Sequence, residues 1–513
     1  MPRLRVQAGE TPTLCPTLQD FICVHIADTR HKNNKPVKHS LSVIAVALAL
    51  SACASQSLTP VALPDTPVPA QWSAAPALPV AQDVAPALAA WWQRFNDPTL
   101  TALVTQGLLR NTNARSAQAA LQQSRALRDA KNAGLGPKLG GSASAQRSRS
   151  DSNDATDNFQ LGFDASWEPD VFGGKRSALR AAEADTQATQ SSLAQVQVSL
   201  AAEIAVTYIE LRGLQARLAI ARSNLAAQTE TLQITQWRAQ AGLVSSLDVE
   251  QALASREQTA AQIPALSTSV AQSISSLAVL TGQAPGALQN SLMANAATNV
   301  VAAADAIPQA PAGIAVAIPA QTLRQRPDIR AAEYRIASAL AQVAQADAAR
   351  YPSFQISGSL GLRALTLGAL TNGASLMQSL LAGVSVPLFD GGAARAQVRA
   401  QEASLEQARV AYEATVLQAL KDVEDALVAL QNDNERAQRL QSASTAAANA
   451  DLMARQRYAS GLIDFRAVLD AQRTLLSTQD SVAAIRASIS ADHVRLYKAL
   501  GGGWTPETEP SAP

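Results

Sequence analysis

The segment Gly242-Leu-Val-Ser-Ser-Leu-Asp248-Val-Glu-Gln-Ala252 returns about 219 residues later as Gly461-Leu-Ile-Asp-Phe-Arg-Ala-Val-Leu-Asp470-Ala471. Each copy closes a very long, proline-free, Ala-rich stretch, one beginning near Phe172-Gly-Gly174 and the other near Phe389-Asp-Gly-Gly392. Each stretch runs about 69 residues, and a continuous helix of that length reaches roughly 100 Å at about 1.5 Å per residue. No compact globular domain needs two such rods; a tube or a fibre does. A chain of 513 residues would otherwise suggest three or four globular domains, but the repeat favours two similar halves of one body.

No proline occurs between Pro169 and Pro264, or between Pro387 and Pro506. Uninterrupted helices explain that, since an interior proline costs about 3 kcal/mol. Ile204, Leu211, Leu218, Leu225 and Leu232 recur every seven residues. That spacing suits a coiled-coil seam, or equally a simple amphipathic core stripe; helix length and the second copy favour the seam.

Formal net charge is +1 and 16% of residues are charged, so no bulk electrostatic pull toward nucleic acid exists. The cysteines are Cys15, Cys23 and Cys53, and His493 is the one histidine beyond residue 39. Cys/His metal sites and Cys/His nucleophile pairs are thereby excluded from the body, and no enzyme, cofactor or metal is expected. Gly173-Gly174-Lys175 lacks the spacing of a phosphate loop. His493 reads as a surface helical residue, and Tyr497 and Trp504 as packing near the end of the C-terminal helix.

Lys32, Lys35 and Lys38 precede the apolar run Leu41 to Leu50, then Ser51-Ala52-Cys53. Basic region, short apolar stretch and small residues form a secretory signal, and the run is too short for a permanent membrane span. Leu50-Ser-Ala-Cys53 also resembles a lipobox, which implies cleavage before Cys53 and acylation of that residue; Ala54 resembles lipoproteins sent to the outer membrane. Residues 1–37 fit neither signal nor domain and suggest a start site placed too early, with Val37 as the true start. The signal then spans 38–52, and 53–90 forms a Pro-rich tether.

The body begins at Trp91-Trp92-Gln-Arg-Phe95-Asn-Asp97-Pro98, with Asp97-Pro98 as a helix start. A helix is expected from about Leu100 to Lys131, burying Leu103, Leu108, Ala117, Leu121 and Leu127. Residues 139–149 and 159–167, separated by the polar run Asp151 to Asn158, read as a β-hairpin; Phe159, Leu161, Phe163, Ala165 and Trp167 alternate with polar residues. The second half repeats the scheme. A helix starts at Arg326-Pro327-Asp328 and runs to about Arg350; residues 354–362 alternate, a loop crosses Leu370 to Gly373, and 381–388 returns.

Two hairpins give about four strands long enough to cross a bilayer when tilted. An open sheet edge in lipid leaves backbone groups unpaired at several kcal/mol each, and single-chain barrels begin near eight strands. One copy therefore cannot close a membrane sheet, and a ring of copies can.

The chain resembles the TolC-like outer membrane efflux proteins, most closely their lipid-anchored NodT-type branch. The matching stretches are Trp91-Trp-Gln-Arg-Phe-Asn-Asp-Pro98, Ala165-Ser-Trp-Glu-Pro-Asp-Val-Phe-Gly-Gly174, Arg326-Pro-Asp-Ile329, Val386-Pro-Leu-Phe-Asp-Gly-Gly392, Val468-Leu-Asp-Ala-Gln-Arg473 and Leu496-Tyr-Lys-Ala-Leu-Gly-Gly-Gly-Trp504. The resemblance implies a mostly α fold with membrane β: a homotrimer whose twelve-stranded outer membrane barrel continues into a long periplasmic α-helical barrel. It divides the body into a first repeat at 91–290 (helix, hairpin, two long helices), a linker at 291–318, a second repeat at 319–504 and a disordered tail at 505–513. It also implies an exit duct that carries small molecules such as drugs passively to the outside. The implied partners are an inner-membrane RND-type pump, a periplasmic adaptor (membrane fusion) protein and outer membrane lipid, with no nucleic acid. The competing readings are a lipidated periplasmic coiled-coil adaptor, which needs only one helical hairpin, and a structural lipoprotein, against which the alternating segments speak.

By the same resemblance the turns at Gly242 and Gly461 form the periplasmic entrance. Asp470 and Arg473 resemble the acid and base that hold the closed tip, Tyr458 a gating tyrosine, and Asp248 an acid of the first repeat. Where some members place a basic residue two after the turn glycine, this chain has Ile463, which leaves Arg466 or Arg473 as substitutes. The alternative is that Asp248 and Asp470 are solvated first-turn carboxylates favoured by the helix dipole.

Overall fold

The computed structural model describes residues 89–149, 155–294, 305–310, 324–371 and 376–504, together with Pro64 and Trp72. The expected N-terminal extension, the signal, Cys53, most of the tether and the 505–513 tail lie outside the described residues.

A 3-10 turn at Trp91–Phe95 leads into α1 (Pro98–Arg110) and α2 (Thr112–Ala133). Asp97 caps α1 as expected, accepting from the amides of Thr99 and Leu100 at 2.8 and 3.0 Å, with Pro98 at the first helical position. The single helix expected from Leu100 to Lys131 is broken at Asn111. That residue leaves helical geometry and caps α2 through the amides of Asn113 and Ala114. Of the expected core positions Leu103 and Leu121 are buried, Leu108 and Ala117 half-buried, and Leu127 exposed.

The two long proline-free stretches are helices α3 (Gly174–Gln240) and α7 (Ala393–Ala459), each 67 residues. Each is followed across a glycine turn by a 35-residue helix, α4 (Ser246–Leu280) or α8 (Phe465–Ala499). All four bounds of the second pair lie 219 residues after those of the first, so the repeat read in the turns extends through both rods. Pro264 sits inside α4 on an exposed side, where water solvates the carbonyl it leaves unbonded. A one-turn helix α5 (Gln289–Ala294) and the segment at 305–310 lie in or beside the expected linker, and bury Leu292 and Ile307 in the core. Helix α6 (Pro327–Ala348) opens the second half from the Arg326-Pro327 start.

In each half the long helix runs beside two shorter ones placed end to end. Asn111 Nδ2 donates to Leu280 O, the end of α4, at 2.9 Å; Arg326 Nη1 donates to Ala499 O, the end of α8, at 2.7 Å. The cap residue of one short helix thus satisfies an orphan carbonyl of the other. Gly282 and Gly501, at φ +72° and +75°, allow the close approach: a Cβ on Gly282 would lie 2.5 Å from Arg110 O. Each half therefore supplies one continuous rod and one composite rod.

The core gathers where these junctions meet. Trp91 stacks on Tyr497 with centroids 5.4 Å apart, as expected for a packing tyrosine. Arg330 lies over Trp504. Tyr208 donates to Asp97 Oδ2 at 2.8 Å, and its burial pushes the phenol up to about 12. Buried Arg326 pairs with Asp328 at 2.7 Å and Asp422 at 3.3 Å. His493 is not the surface residue expected. It is half-buried, its Nδ1 has no hydrogen-bond partner among the described residues, and burial pushes its pKa down to about 4.

The strands β1 (Lys138–Ser148), β2 (Thr156–Trp167), β3 (Ser353–Ala364) and β4 (Leu376–Ser385) form one antiparallel sheet in the order β1-β2-β3-β4. The two expected hairpins join through β2 and β3, from Phe159↔Ala364 to Trp167↔Ile356. The return strand expected at 381–388 instead ends at Ser385, before Pro387, which has no amide for the ladder. A 3-10 turn at Leu367–Thr371 occupies the start of the loop expected at Leu370 to Gly373.

Candidate channel wall and helix tips

The register sorts the central strands into two faces. Leu161 stands opposite Leu362, Phe163 opposite Leu360 and Trp167 opposite Ile356, with Phe354 opposite Val384. On the other face Gln160 meets Arg363, Asp164 meets Ser359 and Ser166 meets Ser357, while Ser144 meets Gln160 across β1. Arg363 donates to Asn158 at 2.9 Å and Ser142 to Asp164 at 3.0 Å, so the polar face carries its own hydrogen bonds. The apolar face is not covered: Phe163 is 61% and Leu360 52% exposed. A soluble sheet buries that face; this one presents it outward, as a wall between lipid and an aqueous lumen must. At the foot of the sheet Phe172 stacks on Tyr351 at 5.0 Å and on Phe354 at 6.4 Å.

Both layers end in open edges. Among the described residues β1 and β4 each pair on one side only. Among the described helices α3 packs on α1, α2, α4, α6 and α8, whereas α7 packs chiefly on α6 and α8, so the composite rod of α2 and α4 and the rod α7 are the outer members. The imbalance shows in burial: α3 buries 27 of its 67 residues and α7 only 11 of the same number. Val410, Leu417, Leu452 and Met453 remain exposed on α7. At the β4–α7 junction Leu388 and Phe389 are 94% and 93% exposed, while at the β2–α3 junction Phe172 has its stacking partners within the chain.

The far ends of the rods carry the predicted tip residues. Gly242 and Gly461 adopt φ of +72° and +74°, which only glycine accepts without strain. Leu243 N donates to Arg238 O and Leu462 N to Arg457 O, closing the same helix-ending motif twice. Ser245 and Asp248 then form a capping box at the start of α4, with Ser245 N donating to Asp248 Oδ2 at 3.0 Å. Asp464 caps α8 through the Ala467 amide at 3.1 Å. Asp248 is thus a first-turn carboxylate occupied by its own helix. Asp470 is not: it lies beyond the first turn of α8, exposed. Neither its side chain nor that of Arg473 has a hydrogen-bond or ion-pair partner among the described residues, and they do not bond each other. Ile463, the departure from the family pattern, packs against a small tip core of Leu232, Tyr458, Phe465, Val468 and Leu469.

Tyr458 is buried there at 8% exposure, its ring 5.5 Å from Phe465 and its hydroxyl without a partner among the described residues. Arg238 from the first repeat lies over the ring, 4.5 Å from its centroid, and donates from Nη1 to the Tyr458 carbonyl at 3.1 Å. The sequence reading missed Arg238. The signal was present, because Arg217, Asn224, Thr231 and Arg238 recur every seven residues alongside the leucine seam. No His/Cys/Asp/Glu group able to hold a metal occurs among the described residues.

Comparison with known proteins matches this geometry. A family model described as outer membrane efflux protein matches residues 103–283 and again 318–502. The solvent efflux pump outer membrane protein SrpC of Pseudomonas putida is 32% identical over 455 residues, covering 86% of this chain and 94% of its own length. Nodulation protein T of Rhizobium leguminosarum bv. viciae is 31% identical over 473 residues, covering 91% and 94%. The solved outer-membrane channel OprN superimposes with a TM-score of 0.74 at 33% identity, covering 86% of this chain and 99% of OprN.

Proposed function

This chain belongs to the outer membrane efflux protein family, and we propose that it works there as a trimeric, lipid-anchored duct with a closable periplasmic tip. It is an outer membrane exit channel of a tripartite efflux system, TolC-like in fold and NodT-type among its relatives. The observation that carries the trimeric reading is the four-stranded sheet, amphipathic across its faces and unpaired at both edges. In lipid each open edge costs several kcal/mol per unpaired group, and neighbouring copies remove that cost by continuing the sheet. Three copies bring twelve strands and twelve rods. The same closure covers the exposed side chains of α7 and brings Leu388 and Phe389 against the next copy.

The lumen performs no chemistry. An inner-membrane pump supplies the energy and a periplasmic adaptor seals the joint, while the cargo is a small molecule such as a drug or an organic solvent. Acylation at Cys53 and the Pro-rich tether hold the body to the outer membrane; the intact mass of the mature chain, beginning at Cys53 with its acyl groups, tests that anchor. At the tip three-fold symmetry turns Asp470 into a ring of acids that favours cations at the constriction, with Arg473, Tyr458 and Asp248 holding it closed. Purified protein in a planar bilayer tests the duct directly. Discrete, long-lived conductance steps support it, and a bilayer that stays electrically silent at high protein concentration refutes it.

A further inference from the structure

The two helical hairpins of one chain meet along a seam that is polar at regular intervals. Arg217 forms a bidentate pair with Asp480 at 2.7 and 3.1 Å. One heptad on, Asn224 donates to Gln479 Oε1 at 3.1 Å; at the next, Gln472 donates to Thr231 Oγ1 at 3.0 Å. Arg238 is the last rung, on the final turn of α3. The seam is also incompletely satisfied: the Oε1 atoms of Gln228 and Gln472 are buried without partners among the described residues. Below the bidentate pair the seam is held by single hydrogen bonds beside orphaned acceptors, and is weaker than an apolar one of the same length, because each bond nets little and each orphan costs.

The last rung differs from the others in what it grips. The upper three reach α8 side chains. Arg238 instead reaches the end of α7, binding the Tyr458 carbonyl and the Tyr458 ring together. That carbonyl also accepts from Gly461 N at 3.0 Å, so the guanidinium sits on the peptide that closes the second-repeat turn. Asp470 and Arg473, the expected latch pair, have no side-chain partner among the described residues. We infer that Arg238 is a positioning residue for the periplasmic gate: by clasping Tyr458 it holds the tip of the second hairpin against the first, within one chain. This rests on the tip being the closed end of the duct. A delocalised cation over a largely desolvated ring, with one charge-assisted hydrogen bond, is the arrangement in which arginine is not interchangeable with an aliphatic side chain.

The test is single-channel recording of the full-length protein in planar bilayers. Arg238→Met raises open probability about tenfold, the scale of one lost cation–π contact. Tyr458→Leu does the same, the double variant goes no further than either alone, and Arg238→Lys, which keeps the cation without the planar fork, recovers only part of the closed state. Arg217→Met, which cuts the uppermost rung, lowers thermal stability and leaves open probability at the wild-type value. A merely structural Arg238 would behave like Arg217. Should Arg238→Met assemble poorly, Arg238→Gln keeps a donor for the carbonyl without the cation and is expected to shift gating in the same direction. Wild-type gating in the Arg238 variants, while Asp470→Ala with Arg473→Ala opens the channel, overturns the clamp and leaves the tip gate standing. Wild-type gating in all of them overturns both.

Discussion

Leu360 and Ser359 are neighbours on β3 that point to opposite faces, which makes them a paired probe of the channel wall. Leu360 stands opposite Phe163 on the apolar face near mid-strand. Replacing it by Arg places a guanidinium near the middle of the bilayer, at about 2–4 kcal/mol per copy. Summed over three copies the penalty is roughly 6–12 kcal/mol, enough to abolish folding into vesicles at urea concentrations where the wild type folds. Ser359→Arg projects the same charge from the opposite face. It forfeits the 2.7 Å hydroxyl contact with Ser379, worth about 0.5–1.5 kcal/mol, and leaves the rest of the strand unchanged. The assay is the urea midpoint of folding into phospholipid vesicles, read by the heat-modifiable shift on gels. Leu360→Arg should lose the folded band, while Ser359→Arg keeps it and shifts the reversal potential toward anions. Equal midpoints for the two variants would refute the assignment of faces, and a greater loss for Ser359→Arg would reverse it.

The other expectations are narrower. Asp470→Ala with Arg473→Ala should raise single-channel conductance; an unchanged value argues against the latch. Phe389→Asp should lower the temperature at which the oligomer dissociates on gels, because the proposed trimer sets this exposed ring against a neighbouring copy; an unaltered dissociation temperature means lipid or water covers it instead. Arg326→Met strands the carboxylates of Asp328 and Asp422 and the Ala499 carbonyl, at about 2–4 kcal/mol by the cost of breaking a partly buried pair, readable in thermal unfolding. His493 has a folded pKa lowered to about 4, so between roughly pH 4 and 6.5 the unfolded chain binds the extra proton and stability rises with pH. Its contribution is complete above about 6.5 and lost as pH falls toward 4. Asp492 beside it is raised by burial and acts with the opposite sign, so the measurement is the difference in slope between wild type and His493→Phe over that window; identical slopes would contradict the buried imidazole.

The rods were legible because their signal is redundant. Absence of proline, a heptad stripe and two glycine turns 219 residues apart all state the same thing, and the four helix bounds follow that offset. The strands were legible where alternation is strong, as in β2 and β3. β4 was displaced because Leu380, Leu381 and Met377 fall on both faces, leaving only Pro387 to set its end. The break at Asn111 was hidden because asparagine is tolerable in a helix; what makes it a cap is the Leu280 carbonyl, 169 residues away in the chain. His493 was misplaced for a related reason: neighbouring elements bury it, and helical spacing on α8 alone does not report them. At the tip the two glycines were legible as turns because each ends a proline-free stretch, and Tyr458 is buried beside the second of them. The capping role of Asp248 was weighed from helix chemistry, and the structure shows it engaged there. Arg238 escaped because its partner lies 220 residues downstream, and a polar heptad beside an apolar one reads as a solvated face until the second hairpin is packed against it.

The central claim is that a sheet of four strands cannot close alone and must be completed by identical copies. Native mass spectrometry of the detergent-solubilised protein measures this most directly. A single species at three times the mass of the mature chain is the predicted result, and a monomer that persists across detergents with its sheet intact would contradict it.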